Sequence, residues 1–249
     1  MPGNRLATIF RAFASRIAQD HPEIFNFQDD RFYSRLTSES VALAADGMLD
    51  EARSHLPKGV QHPIEALSWQ VQADLAVVVV DEDGSDQVAL LSVCAPSHWQ
   101  PAEKLGKSFF NLHTVVPGFE RVNATAPKMV EAMVYKGPLM RFVWGVDSDD
   151  RLNHHPIPPP GEDPETWHGR IFSDGRFWAR WERQSLLGVP EAKASVFVIH
   201  ARLTPDTDIP AGSADRASLA EAVRSMSPAA LKYKGLDRGY ADLMPLLER

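Results

Sequence analysis

Apolar residues near the start of the chain repeat at the spacing of an α-helix. Five of them fall on one helical face: Leu6, Ile9, Phe10, Phe13 and Ile17. This helix is predicted to stop before Pro22, and a second helix is predicted from about 38 to 55, before Pro57. Residues 1–60 are therefore expected to form a helical N-terminal layer.

The spacing changes to that of β-strands between residues 70 and 205. Two β-rich runs, 74–80 and 87–93, flank an Asp-Gly turn and predict a hairpin. The stretch from 101 to about 136 reads as mainly helical. Further strands are predicted at 139–146, 176–182 and 195–203, and helices at 218–226 and 228–234.

This order of elements predicts an α+β fold. Strands joined by hairpins indicate a five-stranded antiparallel sheet, and the helical insertion after the second strand must cover one of its faces. With its N- and C-terminal helical flanks, this arrangement resembles the PAS architecture. We expect a single domain over 1–249, with a helical layer at 1–60, a sheet core at 70–205 and a helical tail at 215–249. The proline-rich segment 147–169 is expected to be an irregular loop.

The net charge and the cysteine content exclude several classes of function. The net charge is −7, so the chain has no general attraction for nucleic acid or for anionic lipid. Cys94 is the single cysteine, which excludes an intrachain disulfide and a cysteine-rich zinc or iron–sulfur site. The sequence shows no apolar signal core and no membrane span, so we expect a cytoplasmic protein. Walker, Gly-x-Gly-x-x-Gly, His-Glu-x-x-His and Gly-x-Ser-x-Gly motifs are absent.

Several segments, taken in order, resemble the haem-dependent oxidative N-demethylase family. They are Ser92–Gly106 with its Pro-Ala-Glu-Lys-Leu-Gly run, Leu112–Gly118, Trp144–Leu152, Trp181–Leu186 with its Glu-Arg-Gln run, Val196–Ile199 and Tyr233–Leu236. The resemblance implies a PAS fold that binds haem b and oxidises a small secondary amine, such as dimethylamine, with dioxygen. The oxidant that we expect is dioxygen or peroxide. It also implies that a separate flavin and iron–sulfur reductase supplies electrons.

The chain departs from the family pattern at several positions. It has His98 and His200 where the family tends to have Arg, Val143 where the family tends to have Asn, and Val115 where the family tends to have Pro. Replacing Arg by His removes a fixed guanidinium fork and introduces a titratable ring that can bind metal.

His113 is the predicted axial ligand of the haem iron, because it lies within the family motif and in the helical block beside the expected pocket. A histidine that packs in the core or caps a helix is the alternative interpretation. His200 and His98 are the competing ligands. His154 and His155 lie in the proline-rich loop and are expected at the surface.

Charged and aromatic residues complete the predicted site. Lys104, Arg183 and Arg180 are candidates for binding the haem propionates. Glu182 and Glu103 are candidates for recognising the amine or handling protons. Trp144, Trp99 and Trp181 could pack on the porphyrin or on an alkylammonium group, and Tyr233 with Lys234 could close the pocket. Solvated charges and ordinary core packing are the alternatives. A strand residue such as Cys94 is expected to be a small buried side chain and not a haem ligand.

Two other functions stay open at this point. The chain could be a haem-binding sensor or carrier without turnover, because a fold does not assign a function by itself. It could also be an interaction protein that binds no haem.

Overall fold

The computed structural model describes residues 3–120, 124–164, 167 and 170–249. The N-terminal part contains one long helix, a small antiparallel sheet and a short helix. These are α1 (Gly3–Asp20), β1 (Phe25–Gln28), β2 (Arg31–Ser34), β3 (Ser40–Ala42) and α2 (Pro63–Ser68). The predicted first helix is confirmed.

The main sheet has five antiparallel strands, as predicted. They are β4 (Asp74–Val80), β5 (Asp86–Ser92), β6 (Leu139–Asp147), β7 (Trp178–Val189) and β8 (Ala194–Pro205). Their order across the sheet is β5-β4-β8-β7-β6, which places the first and last strands side by side in the centre and β6 at an edge. Gly84, with φ +84°, makes the turn between β4 and β5.

Helices occupy both faces of this sheet. Between β5 and β6 lie a short 3₁₀ turn (Pro101–Glu103), α3 (Phe109–His113) and α4 (Ala126–Tyr135). After β8 come α5 (Ala214–Arg224), α6 (Pro228–Tyr233) and α7 (Tyr240–Leu247). The predicted insertion and helical tail are confirmed, and α7 was not predicted. Positions 121–123, in the predicted helical block, and 165–166 and 168–169, in the predicted loop, lie outside the described residues. Among the helices that the structure describes, none is long and apolar enough to cross a bilayer.

The alternation of side chains along each strand defines two faces. Val78, Leu186 and Phe197 lie on the face that packs against α3 and α4, which we call the insertion face. Val77, Leu187 and Val196 lie on the other face, where α1 packs; we call it the outer face. At its far end the outer face packs against α5 and α7 through a further cluster that includes Val146 and Ala179.

The prediction of a helix over 38–55 is wrong. This segment contains β3, an isolated bridge between Leu43 and Leu49, and Gly47 with φ +82°. A Cβ on Gly47 would lie 2.3 Å from the carbonyl oxygen of Gly3, so only glycine allows α1 to pack this closely. Packing against α1 therefore overrides the local helical pattern.

Candidate functional site

A row of polar side chains crosses the insertion face of β6 and β7. Arg141 Nε donates to Gln184 Oε1 at 2.7 Å, and Gln184 Nε2 donates to Glu182 Oε2 at 2.9 Å. Arg180 Nε donates to the other oxygen of Glu182 at 3.0 Å. The row exists because Arg141 pairs directly with Gln184 across the two strands, and because residues 180, 182 and 184 point to the same face. Glu182 thus lies at the centre of a connected polar network.

Arg180 anchors this row in the protein interior. Its side chain is only 2% exposed, and its two terminal nitrogens donate to the carbonyl oxygens of Leu152 (2.9 Å) and Ala95 (2.6 Å). These contacts tie two loops to β7. Arg180 therefore serves to hold Glu182 and the loops, since each of its three side-chain nitrogens already donates a hydrogen bond.

Arg141 is the cation of this row that lacks a counter-ion. Within the described residues it forms no ion pair, and its guanidinium lies 5.8 Å from the Phe197 ring centroid. Burial lowers its pKa, although the nearby Glu182 and Tyr233 act in the opposite direction. A guanidinium fork held at one nitrogen by Gln184 is well suited to bind a carboxylate with its other nitrogens.

His113 ends α3 with one ring nitrogen fixed. Ser108 Oγ accepts from the backbone N–H of Asn111 at 3.2 Å, and the Asp86 carboxylate accepts from that of Phe109 at 2.6 Å, so two side chains fix the start of this short helix. Nδ1 of His113 lies 2.7 Å from the carbonyl oxygen of Phe109, which assigns the ring proton to Nδ1 in the neutral form.

The environment of His113 favours a neutral ring with a lone pair on Nε2. The imidazole packs against Phe109 and Phe119, with ring centroids 4.2 and 4.7 Å away. Burial lowers the pKa of His113, the Phe109 carbonyl opposes this effect, and the cations Arg141 and Lys104 lower it further. Among the residues that the structure describes, Nε2 has no hydrogen-bond partner. This is the arrangement that metal-binding histidines commonly show.

The two candidates beside the 3₁₀ turn have different surroundings. Lys104 is half-buried and lies close enough to His113 to affect its pKa. Glu103 is exposed, and its side chain forms no hydrogen bond or ion pair with the described residues. Lys104 therefore belongs to the neighbourhood of His113, whereas nothing in the structure connects Glu103 to it.

His98 belongs to a second network, at the end of β6. Its Nε2 lies 3.2 Å from Asp147 Oδ1 and accepts from Arg170 Nε at 3.0 Å. The His154 ring stacks on it at 4.5 Å, and His154 Nε2 lies 2.9 Å from Asp149 Oδ1. His154 was predicted to lie at the surface, but it is buried, so that prediction is wrong.

The donor set of this second network raises the question of a metal ion. His98, Asp147 and His154 offer ligand atoms within 4.8 Å of one another, and Asp147 Oδ2 and His154 Nδ1 are buried with no hydrogen-bond partner in the described part of the chain. However, Arg170 already occupies the lone pair of His98 Nε2. Stacked rings at an 11° angle also cannot aim their in-plane lone pairs at one ion. The arrangement favours a hydrogen-bond network over a metal centre.

The C-terminal tail reaches the two networks from the edge of the sheet. Lys234 Nζ donates to the carbonyl oxygen of Trp144 at 2.6 Å and lies 5.1 Å from the centroid of its ring. Burial lowers the pKa of Lys234, while Glu182 and Asp147 raise it and Arg170 lowers it. Lys234 therefore lies near enough to Glu182 and Asp147 for both carboxylates to affect its pKa, and its role in closing the pocket stays a prediction.

The outer face carries four predicted site residues: Trp144, Trp181, Arg183 and His200. Trp181 and Arg183 alternate with Arg180, Glu182 and Gln184 along β7, and Arg183 pairs directly with His200 on β8. They are therefore separated from Glu182 and His113 by the sheet itself. A haem held by His113 on the insertion face would not reach these four side chains, and they leave the candidate site.

Cys94 and Trp99 contribute little to the site. Cys94 is exposed, contrary to the predicted buried position, and its pKa is raised by partial desolvation and by Asp74, which disfavours a thiolate ligand. Trp99 is half-buried and forms no ring contact with the described residues.

Sequence reasoning missed Arg141, Gln184, Asp147 and Arg170. Arg141 had a signal, because it interrupts the otherwise apolar run Leu-Met-Arg-Phe-Val-Trp of β6. Gln184 and Asp147 lie inside the family-like segments but were not singled out. Arg170 shows no signal in the sequence, because its partner His98 lies 72 positions away.

Comparison with known proteins assigns the chain to a protein family. No curated protein matches the chain. A family model described as "Haem-dependent oxidative N-demethylase, alpha subunit-like" matches residues 7–243. The family name describes haem-dependent oxidation and points to an enzyme of the oxidoreductase type. Since the match covers nearly the whole chain, the protein belongs to the haem-dependent oxidative N-demethylase, alpha subunit-like family.

Proposed function

We propose that this protein binds haem b on the insertion face of a PAS-like sheet and oxidises a small amine by N-demethylation or a related reaction. The PAS-like assignment is supported by the five antiparallel strands and by the helical insertion between the second and third of them. The observation that carries the proposal is His113, a half-buried neutral imidazole with Nδ1 fixed at 2.7 Å from a backbone carbonyl.

The side chains around His113 fit a haem group. The lone pair on Nε2 suits iron, and the Phe109 carbonyl would keep the ring in the required tautomer and orientation. Arg141 and Lys104 are the cations best placed to bind the haem propionates. Among the described residues no carboxylate pairs with Arg141, and Lys104 lies near His113. When bound, haem would supply the oxidising chemistry, and the protein would supply the axial ligand and the pocket.

Glu182 is the proposed residue for the amine. Arg180 and Gln184 each occupy one lone pair of its carboxylate, which leaves further acceptor positions for a substrate ammonium group. Its fixed orientation makes it suited to hold or transfer a proton at Oε1 or Oε2. Glu103 is a weaker candidate, since it is exposed. Dioxygen or peroxide would be the oxidant, and removal of a methyl group as formaldehyde with dioxygen requires electrons from a separate reductase.

The ultraviolet–visible spectrum of the purified protein, before and after haemin addition, tests the haem site. We expect a Soret band that shifts on reduction in the wild type and is lost or strongly altered in His113→Ala. His21→Ala is the matched control, because His21 is exposed and lies outside the site. A spectrum unchanged by His113→Ala would rule out His113 as the ligand.

A turnover assay separates an enzyme from a sensor or carrier. With dimethylamine, an electron donor and dioxygen, we expect formaldehyde release by the haem-loaded wild type and at least about a tenfold loss in Glu182→Gln. Haem binding without turnover of any small amine would favour the sensor or carrier.

A further inference from the structure

The middle of the outer face is not covered by any described helix, and it carries large exposed apolar side chains. Met140 is 62% exposed, Phe142 65% and Trp181 42%. Helix α1 packs on one end of this face and the C-terminal helices pack on the other end, so these three residues lie between two covered regions. Exposed aromatic and Met side chains that cluster in this way are typical of the centre of a protein–protein interface.

Two arginines and a histidine lie beside the apolar side chains. The register places Phe142, Arg183 and His200 in one row across β6, β7 and β8. It places Trp181 directly opposite Arg202 on the adjacent strands. We call these six residues, Met140, Phe142, Trp181, Arg183, His200 and Arg202, the arginine–aromatic face.

The two arginines of this face have no counter-ion in the part of the chain that the structure describes. Arg183 and Arg202 are exposed and form no ion pair or hydrogen bond with any residue that the structure describes. Several arginines elsewhere in the protein bind a carboxylate, such as Arg11 with Asp30 and Arg176 with Asp206, each at 2.7 Å. In a chain of net charge −7, an unpaired cationic surface around an apolar centre is complementary to an acidic partner.

A second copy of the chain fits this face less well. Two copies related by a two-fold axis would present the same face to each other and would bring Arg183 and Arg202 close to their equivalents. Like charges across an interface oppose association. The charge pattern therefore favours a different, acidic protein.

We propose that the arginine–aromatic face docks an acidic electron-transfer protein. The electron-transfer role rests on the proposed haem function, whereas the acidic character rests on the face alone. Arg183 and Glu182 are consecutive residues that project from opposite faces of β7, so a partner docked here would be separated from the proposed haem site by one layer of sheet. The chain itself, with one cysteine, cannot hold a four-cysteine iron–sulfur cluster.

Calorimetric titration at low ionic strength, with an acidic plant-type two-iron ferredoxin as the probe, tests the proposal. We expect saturable binding to the wild type and at least about tenfold weaker binding to the double variant Arg183→Glu/Arg202→Glu, with a reduced salt dependence. Phe142→Ala should weaken binding without changing the salt dependence. Lys58→Glu/Lys128→Glu is the matched control, because it makes the same change in charge at exposed lysines outside this face and should bind like the wild type.

Circular dichroism establishes that each variant is folded, and light scattering gives its oligomeric state. Equal affinity of the two double variants, or no saturable binding by the wild type, would overturn the proposal. A dimeric wild type that becomes monomeric on arginine reversal would also overturn it, because the occupant would then be a second copy. The haem spectrum is recorded on the same samples, so that haem binding without ferredoxin binding defeats the docking proposal alone.

Discussion

His98 occupies an unusual position for a titratable residue. It has left-handed backbone with φ +60°, and Nε2 contacts both a carboxylate and a guanidinium. Burial lowers its pKa to about 4, with Asp147 acting against the shift and Arg170 adding to it. Since Arg170 donates to Nε2, the neutral ring is the form that this site accommodates.

This shift predicts a pH dependence of stability. The unfolded chain binds a proton at His98 near pH 6.5, but the folded protein does so only near pH 4. The neutral His98 ring therefore contributes fully to the free energy of unfolding above pH 6.5. This contribution is lost as the pH falls towards 4, by up to about 3 kcal/mol. Urea unfolding of His98→Asn should show a smaller loss over this window than the wild type, because Asn tolerates left-handed backbone and does not titrate. His21→Asn, at an exposed position, should keep the wild-type slope, and equal slopes for all three proteins would contradict the prediction.

Replacing Arg180 or Arg183, two arginines on opposite faces of β7, should have very different effects on stability. Arg180→Met would leave Glu182 and the carbonyl oxygens of Leu152 and Ala95 without their donor in a buried place, at a cost of about 3–5 kcal/mol. Arg183→Met, three positions along the same strand and exposed, should change stability by no more than about 0.5 kcal/mol. Equilibrium urea unfolding measures both, and similar values for the two variants would show that the assignment of faces is wrong.

At the scale of elements, the approach of α4 to the sheet depends on one glycine. A Cβ on Gly188 of β7 would lie 2.3 Å from the carbonyl oxygen of Val134 in α4. Gly188→Ala should therefore push the helix away from the insertion face and destabilise the protein by about 1–3 kcal/mol. Gly145→Ala in β6 is the control, since a Cβ there meets nothing within 4 Å and should leave stability unchanged or slightly higher. Thermal unfolding of both variants checks this difference.

The elements that the sequence predicted correctly are those whose local pattern agrees with their packing. Helix α1 buries the five residues of its apolar stripe, and the strands of the main sheet follow β-rich runs bounded by turns. The segment 38–55 failed because its apolar spacing suits a helix, whereas Gly47 must take positive φ beneath α1. The conformation of this segment is set by its contact with α1, and a local sequence pattern does not contain information about such a contact.

The candidate site shows the same limit. Alternation along β7 places Glu182 and Arg183 on opposite faces. The predicted strand ended at residue 182, so both side chains remained candidates for one pocket. In contrast, the contact of His98 with Asp147 joins residues 49 positions apart and depends on left-handed backbone at a histidine. His113 was identified through the family motif, and its bond to Phe109 follows from the spacing of four residues in α3.

At the scale of the molecule, one sheet joins three apolar clusters. Helix α1, the small sheet and α2 pack on Leu75 and Val77 of β4, α3 and α4 pack on the other face of the same strands, and the C-terminal helices pack on β6 and β7. The N-terminal residues therefore lack a core of their own, since the apolar stripe of α1 is buried against the central strands.

This shared core predicts that the protein unfolds as one cooperative unit. Far-ultraviolet circular dichroism and tryptophan fluorescence should give coincident urea transitions. Phe10→Ala, at a fully buried position of α1, should shift both transitions together, by about 3–5 kcal/mol, because the strands that hold Trp144 and Trp178 cannot stay folded when the N-terminal cluster fails. Tyr33→Ala offers a control at a partly exposed aromatic residue of the small sheet, with a smaller expected effect. If Phe10→Ala instead produced two separated transitions, residues 1–60 would constitute an independent folding unit.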